Sequence, residues 1–440
     1  MTDTVFPLPD ANEARAEAMP AEPRVQRPNR TQLELRPVDL EGLLPADHRA
    51  RVVWEFVEGL DLAPFYGGIK AVEGHAGRPP IDPAILMALW LYATLEGVGS
   101  ARAVARLCEE HDAYRWLCGG VSVNYHTLAD FRVEPAETLD GLLTTSVAAL
   151  MAEGLVELHR VAQDGVKVRA SAGSTSFRRG ERLEQLLAEA TAQVEALKRE
   201  VHEEPQATTR RLAAARARAA AERQQRVAHA LEQLPAVTAR RQKAGVKGPA
   251  RGSTTDADAR MMKMADGGFR PAFNGQFMTT TGSQVIVGVD VTNAGTDLGQ
   301  LAPMVEQVCG RYGQAPAAVL ADGGYVALED LRAVEQTPGG CQVYAPPKAP
   351  RGVGRPRDQR RRDDATSTAW RERMATEEAK AIYRERAATA ECVNAIARNR
   401  GLHQFLVRGL RKVKAVLLWF ALAHNVLRAV ALRRAASAAV

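Results

Sequence analysis

The 440-residue sequence predicts an α/β protein, a mixed sheet with helices on its faces, preceded by an all-α region and carrying a helical insertion. Three observations predict this. Residues 31–155 place apolar side chains at helical spacing between turn signals. From Val156 onward, short apolar strand-like runs alternate with helical patterns. Between the first of these runs and the rest lies a charged tract rich in Ala, Glu, Gln and Arg, roughly Arg179 to Arg241. It reads as a helical hairpin or short coiled coil interrupted near Pro205, an insertion at 179–245.

The elements follow in order. Residues 1–30, rich in Pro, Ala and charge, read as a disordered tail. In the helical domain 31–155, Arg51–Leu60 and Asp82–Leu95 have helical periodicity, and Asp82 stands where it caps the second with Pro83 in its first turn. Ser100 caps ARAVARLCEEHDAYRWL, and Asn124–Phe131 reads as a further short helix. Short helices carrying Arg102, Arg106, Arg115 and Arg132 suit a helix-turn-helix-like DNA reader, and a plain helical bundle equally.

The core is expected at 156–178 and 246–434. LVELHRVAQDGVKVRASA reads as a buried strand, a polar break and a short second strand. FRPAFNGQFMTTT and SQVIVGVDVTN are two strands joined at Gly282-Ser283. Asp297 is expected to cap a helix to about Tyr312; PAAVLADGGY is a short strand ending in Asp322-Gly323-Gly324. A helix at about 327–335, a strand at 341–345 and a Pro/Gly/Arg-rich loop from Pro346 come next. One long helix, about Glu372 to Arg398, then leads into further helical sequence ending near Arg434.

Composition narrows the function classes. The chain is about three times a typical domain of roughly 150 residues, so two or three folding units are expected. Its longest apolar run, Ala415–Ala423, is nine residues, against the roughly 18 that span a bilayer. The N-terminus lacks the apolar core of a signal peptide. Five scattered cysteines without a C-x-x-C pair argue against a zinc knuckle or disulfide framework and fit a reducing cytoplasm. The net charge is only +6, but it is unevenly spread. From Cys392 to the C-terminus there are nine Lys or Arg and no acid, and from Thr209 to Arg251 eleven basic residues face two acidic ones. Unbalanced positive charge attracts polyanions, nucleic acid first among them. The flexible loop with Gly354-Arg355-Pro356-Arg357 and Arg360-Arg361-Arg362 adds to it. No phosphate-loop, dinucleotide, H-E-x-x-H or G-x-S-x-G signature occurs.

Three carboxylates lie where the strand order makes them converge. Asp164 ends the first apolar run, Asp322 ends the strand after the first core helix, and Glu391 sits on the late helix that packs across the sheet. Carboxylate oxygens are hard ligands for Mg²⁺ or Mn²⁺, and two such ions about 3.5–4 Å apart activate an attacking oxygen and stabilise the leaving one at a phosphodiester. Each acid has a plainer reading: Asp164-Gly165 and Asp322-Gly323 as hairpin turns, Glu391 as a solvated helix residue. Arg384 and Arg398, seven residues to either side of Glu391, share its helical face, with Tyr383 adjacent. Asp256, Asp258, Asp266 and Asp290 rank below the three.

These residues stand in stretches that resemble the DDE transposases of bacterial insertion sequences, in the group related to the families numbered four and five. The stretches are GRPPIDPAILMALWLYATLEGVGSARAVARLCEEHDAYRWLCGG, QDGVKVRASAG, TDADARMMKMADGGFRPAFNGQ, VIVGVDVTNAGTD, LADGGY and YRERAATAECVNAIARNRGLHQFLVRGLRKVKAVLLWFALAHN, covering about Leu35 to Arg428. The resemblance implies a ribonuclease-H-like core with Asp164, Asp322 and Glu391 as the triad holding two Mg²⁺ (or Mn²⁺) ions. It implies that Tyr383, Arg386 and Arg398 orient substrate phosphates. Arg384, Arg400, Arg102 and Arg106 are further expected DNA contacts. It also implies metal-dependent cleavage and strand transfer at terminal inverted repeats, a homo-oligomer on double-stranded DNA and a place at the bacterial nucleoid. The rival is a catalytically inactive transposase-derived DNA-binding protein. In the stricter family signature Tyr and Arg fall seven and four residues before the Glu; here Tyr383 and Arg386 fall eight and five before it, and Arg398 replaces the usual Lys.

Overall fold

The structure, a computed structural model, describes residues 31, 39–71, 79–133, 136–203, 210–243, 245–347 and 364–438. The expected tail at 1–30 and the basic loop around Arg355–Arg362 lie outside the described residues. Among the described residues, those from Leu40 onward form one compact unit.

This unit begins with helices: α1 (Arg49–Glu58), α2 (Ala63–Tyr66), α3 (Pro83–Leu95), α4 (Ala101–Glu110), α5 (Asp112–Cys118), α6 (Tyr125–Val133) and α7 (Ala136–Ala152). Asp82 caps α3 by accepting from the Ala84 N–H, with Pro83 at the first helical position, and Ser100 caps α4. α3 is apolar all round because it is buried all round. The helix expected through Asp112 breaks at His111, whose extended backbone and Nδ1 cap α5. Arg132 is half-buried, lies over the Trp90 ring at 4.8 Å and donates to the Gly99 carbonyl, while Arg115 pairs with Asp112.

Next come β1 (Arg160–Arg169), β2 (Phe177–Arg178), the insertion helices α8 (Gly180–Glu203), α9 (Arg210–Glu232) and α10 (Leu234–Lys243), then β3 (Gly252–Ser253), β4 (Arg260–Lys263), β5 (Phe269–Thr280) and β6 (Ile286–Thr292). After them lie α11 (Leu301–Tyr312), β7 (Ala318–Leu320), α12 (Leu328–Glu335) and β8 (Gln342–Tyr344). The chain closes with α13 (Ala365–Ala375), α14 (Glu377–Arg386), a π turn (Ala387–Glu391), α15 (Cys392–Asn399) and α16 (Leu410–Ala438).

The main sheet runs β4–β5–β1–β7–β8, with β6 also on β5. β1 is antiparallel to β5 and parallel to β7, which is parallel to β8, so the sheet is mixed, as expected. Two sequence expectations do not hold. β1 is one unbroken strand: Asp164 pairs with Phe277 and Gly165 with Gln276, so Asp164-Gly165 is mid-strand and not a turn. The late helix is not continuous. Thr376 ends α13 and caps α14 through its side chain, a start signal legible in Thr376 followed by Glu377-Glu378.

Helices cover both sheet faces. On one, α16 presses Leu417 against Gly275, where a side chain would meet Leu417 at 2.9 Å, and stacks Phe420 near Phe277. On the other, Met304 and Val308 of α11 fill the space over Gly288. α16 also packs on α3, α6 and α7, and Trp419 Nε1 donates to the Arg132 carbonyl, which joins the helical part to the sheet part in one core. α16 is the one described helix long and apolar enough to cross a membrane, and 72% of its apolar window is buried in this core. The insertion helices α8 and α9 pair with each other and have a small core of their own around Leu183, Val227, Ala230 and Ala257.

Candidate active site

The strand order carries two acids to one end of the sheet. Asp164 sits on β1, on the side where its neighbour Phe277 meets α16. β7 lies parallel beside β1 and ends just before Asp322. Asp322 opens a real turn: its carbonyl accepts from the Tyr325 N–H at 3.1 Å and its carboxylate from the Gly324 N–H. Asp164 and Asp322 line one cavity of about 640 Å³ together with Asp297, Lys167, Arg169, Lys263, Arg270, Arg398 and His403.

Glu391 arrives from the helical layer, and the means is Arg386. Its guanidinium, only 10% exposed, spans the two carboxylates: Nη2 lies 3.2 Å from Asp164 Oδ1, and Nη1 donates to Glu391 Oε1 at 2.9 Å. Asn394, one turn further on α15, donates to Asp164 Oδ2 at 2.9 Å. Asp164 therefore has a partner on each oxygen, and its Oδ1 also accepts from the Gly165 N–H at 3.0 Å.

The π turn explains a departure seen in the sequence. In an α-helix, residues five apart stand about 140° apart around the axis and do not meet. A π turn closes on i→i+5 hydrogen bonds and takes up one extra residue. Ala387–Glu391 is such a turn, so Arg386 and Glu391 meet at a spacing of five as they would at four in a regular helix. The added residue is absorbed before Glu391, and Glu391 to Arg398 keeps its spacing of seven.

The electrostatics follow from burial and neighbours. Burial pushes the Asp164 carboxyl above its ordinary value, Asp322 and Asp297 add to this, and Arg386 and the Gly165 N–H oppose it. Burial works against the Arg386 charge, but Asp164 first, then Tyr383, Asp322 and Glu391, hold its proton more tightly than usual. Tyr383, half-buried on α14, is raised by burial with help from Asp322 and Glu391.

The other expected residues divide. Arg398 lines the cavity with Asp164 and Asp322. Arg384 is exposed on α14. Arg400 lies elsewhere, in a cavity of about 240 Å³ with Gly97, Arg132 and Trp419, where its Cα touches the position of a Gly97 side chain. Arg102 and Arg106 are exposed on α4, Arg102 over the Tyr125 ring and Arg106 paired with Glu110. Asp258 and Asp256 accept from the Leu410 and Gly409 N–H groups at the start of α16, Asp266 pairs with Arg270, and Asp290 pairs with Lys414.

Asp297 is not the helix cap that its position suggests. The first core helix begins at Leu301 with Gln300 before it, and no side chain caps it. Asp297 instead accepts from Asn274 Nδ2 at 2.7 Å and Gln276 Nε2 at 2.9 Å, against Gly165.

Two family descriptions match the chain. "Transposase domain (DUF772)" matches residues 38–134, the helical part, and "Transposase DDE domain" matches residues 348–430, which include Arg386, Glu391 and Arg398. Both descriptions are of transposase domains, so the chain is similar to DDE transposases over these two stretches. Asp164 and Asp322 lie outside both matched ranges. No curated protein and no solved structure matches the chain.

The donor set is of the right chemistry for a hard divalent ion, since every acid at the cavity offers carboxylate oxygen. Asp164 and Glu391 share a buried guanidinium, that of Arg386, and among the described residues no three acidic, His or Cys side chains stand close enough to hold one ion together.

Proposed function

We propose that the chain cleaves DNA at the terminal inverted repeats of its element and joins the freed 3′-hydroxyl to target DNA, on a ribonuclease-H-like core. The observation that carries this reading is the shared guanidinium. Arg386 pairs with both Asp164 and Glu391, from a strand and a helix far apart in sequence, and Asp164 lines one cavity with Asp322. In the first step a water oxygen bonds to phosphorus as the bond to the 3′-oxygen breaks. In the second the 3′-oxygen bonds to a target phosphorus as a target P–O bond breaks.

Asp164, Asp322 and Glu391 are the residues that would hold Mg²⁺ or Mn²⁺, two ions in the full site. Bound there, the metal would supply an acidified water and neutralise charge on the phosphoryl oxygens. The chain's own residues do the rest. Arg386 fixes the two carboxylates and offers charge to a phosphate. Asn394 keeps Asp164 in one rotamer. Lys167, Arg169, Lys263 and Arg398 around the cavity grip backbone phosphates on either side of the scissile one. Tyr383 and Arg384 extend that grip along α14, and Arg102 and Arg106 offer contacts on the helical part. Joining two ends requires two sites in register, so the working form is a homo-oligomer on DNA.

A second reading, a transposase-derived protein that binds DNA without cutting it, is favoured by one observation: Glu391 is held by Arg386 and, among the described residues, is not grouped with two other acids as metal ligands. A supercoiled plasmid carrying the DNA that flanks the reading frame separates the two. Nicking or strand transfer in Mg²⁺ that Asp164→Asn and Glu391→Gln each reduce by on the order of 10³-fold supports the transposase. Binding without cleavage in Mg²⁺ and Mn²⁺ supports the second reading.

A further inference from the structure

We propose that Asp297 is a fourth carboxylate of this site: a positioning residue that braces the Asp164 strand from the opposite sheet face and adds negative charge to the metal-binding end of the cavity. This role rests on the reading of Asp164 and Asp322 as metal ligands.

Asp164 and Gly165 are neighbours on β1 and face opposite sides of the sheet. On the Gly165 side, Asp297 Oδ1 accepts from two amides, Asn274 and Gln276, whose residues are 0% and 1% exposed. Gln276 Oε1 in turn accepts from the buried Tyr325 hydroxyl at 2.6 Å and from Gln163 Nε2 at 3.2 Å. The Tyr325 N–H donates to the Asp322 carbonyl. One chain of hydrogen bonds therefore runs from the Asp322 turn through Tyr325 and Gln276 to Asp297. Gly165 lies against its end, where a side chain would collide with Asp297, with Gln276 at 2.7 Å and with Asn274 at 2.8 Å. The same Gly165 donates its N–H to Asp164. A shift of Asp297 is thus felt at both candidate ligands.

The hydrogen bonds do not require a charge. An Asn side chain offers the same oxygen to Asn274 and Gln276. Yet position 297 carries a carboxylate beside Asp164 and Asp322, and it forms no ion pair among the described residues, where a third like charge destabilises the cluster. Asn274 Oδ1, fully buried and without a hydrogen-bond partner among the described residues, is packed into the same cluster over Gly165.

The test is Asp297→Asn in the full chain, with calorimetric titration of Mn²⁺ and a thermal melt without metal, beside Asp164→Asn as the reference. For Asp297→Asn the expected result is an unchanged or higher metal-free Tm and Mn²⁺ binding weakened about tenfold or more, with Asp297→Glu closer to wild type. Unchanged Mn²⁺ affinity in Asp297→Asn, or a lowered Tm with unchanged affinity, overturns the proposal. If Asp164→Asn also leaves Mn²⁺ binding intact, the metal-site reading itself has failed. If only Asp164→Asn weakens binding, the reading stands and the role of Asp297 falls.

Discussion

At the residue scale, Gly165 and His424 carry the clearest consequences. Gly165 has no room for a methyl group because three polar side chains meet over it. Gly165→Ala must push Asp297, Gln276 or Asn274 aside, and a destabilisation of about 1–3 kcal/mol is expected in urea unfolding, with cleavage reduced alongside. A neutral result would mean the cluster is loose. His424, buried on α16, contacts the Gln284 carbonyl through Nε2 at 2.9 Å, and burial pushes its pKa down to about 4 from 6.5. Its folded value is depressed, so the unfolded chain binds more protons between these values. Its contribution is whole above about pH 6.5 and is lost as pH falls towards 4. The Tm of wild type is expected to fall more steeply over that window than that of His424→Gln; parallel slopes would contradict this. Some residue roles are legible in sequence and some are not. That Asp164 and Asp322 line one cavity follows from strand order. The roles of Gly165 and Asp297 do not, because two side chains distant in sequence meet only once the sheet is paired. Arg132 looks like a surface cation in sequence because its Trp90 platform is a tertiary contact.

At the element scale, the π turn decides how Arg386 and Glu391 meet. The sequence shows it only as a signature lengthened by one residue, since helical periodicity does not distinguish a π turn from a register error. Removing one residue inside the turn restores ordinary helical spacing of four. Removing one between Glu391 and Arg398 instead rotates Arg398 by about 100° off its face. Deletion of Ala388 is therefore expected to leave plasmid cleavage within about tenfold of wild type, and deletion of Ala395 to abolish it. The reverse order would show that the turn itself, and not the pairing it permits, is needed. The alternation of strands and helices is readable from apolar spacing, including the hairpin and the short strand before Asp322. The polar pair Asp164-Gly165 disguises β1 as two strands because its polar groups are satisfied by side chains from other elements.

At the scale of the whole molecule, α16 binds the helical part and the sheet into one core, so the site is built on a single packed frame. That unity is not legible in sequence, since the change from helical to strand patterning near Val156 reads as a boundary, whereas Trp419 and Phe131 pack across it. The functional reading requires that acids from β1, the β7 turn and the helical layer form one metal site when DNA is bound. Anomalous scattering from Mn²⁺ in crystals of the full chain with a terminal DNA end would show whether they do. A peak is expected about 2.0–2.3 Å from oxygens of Asp164 and Asp322, with Glu391 released from Arg386 towards a metal. A DNA-filled cavity with Mn²⁺ present, no peak at Asp164 and the Arg386 bridge intact would contradict it.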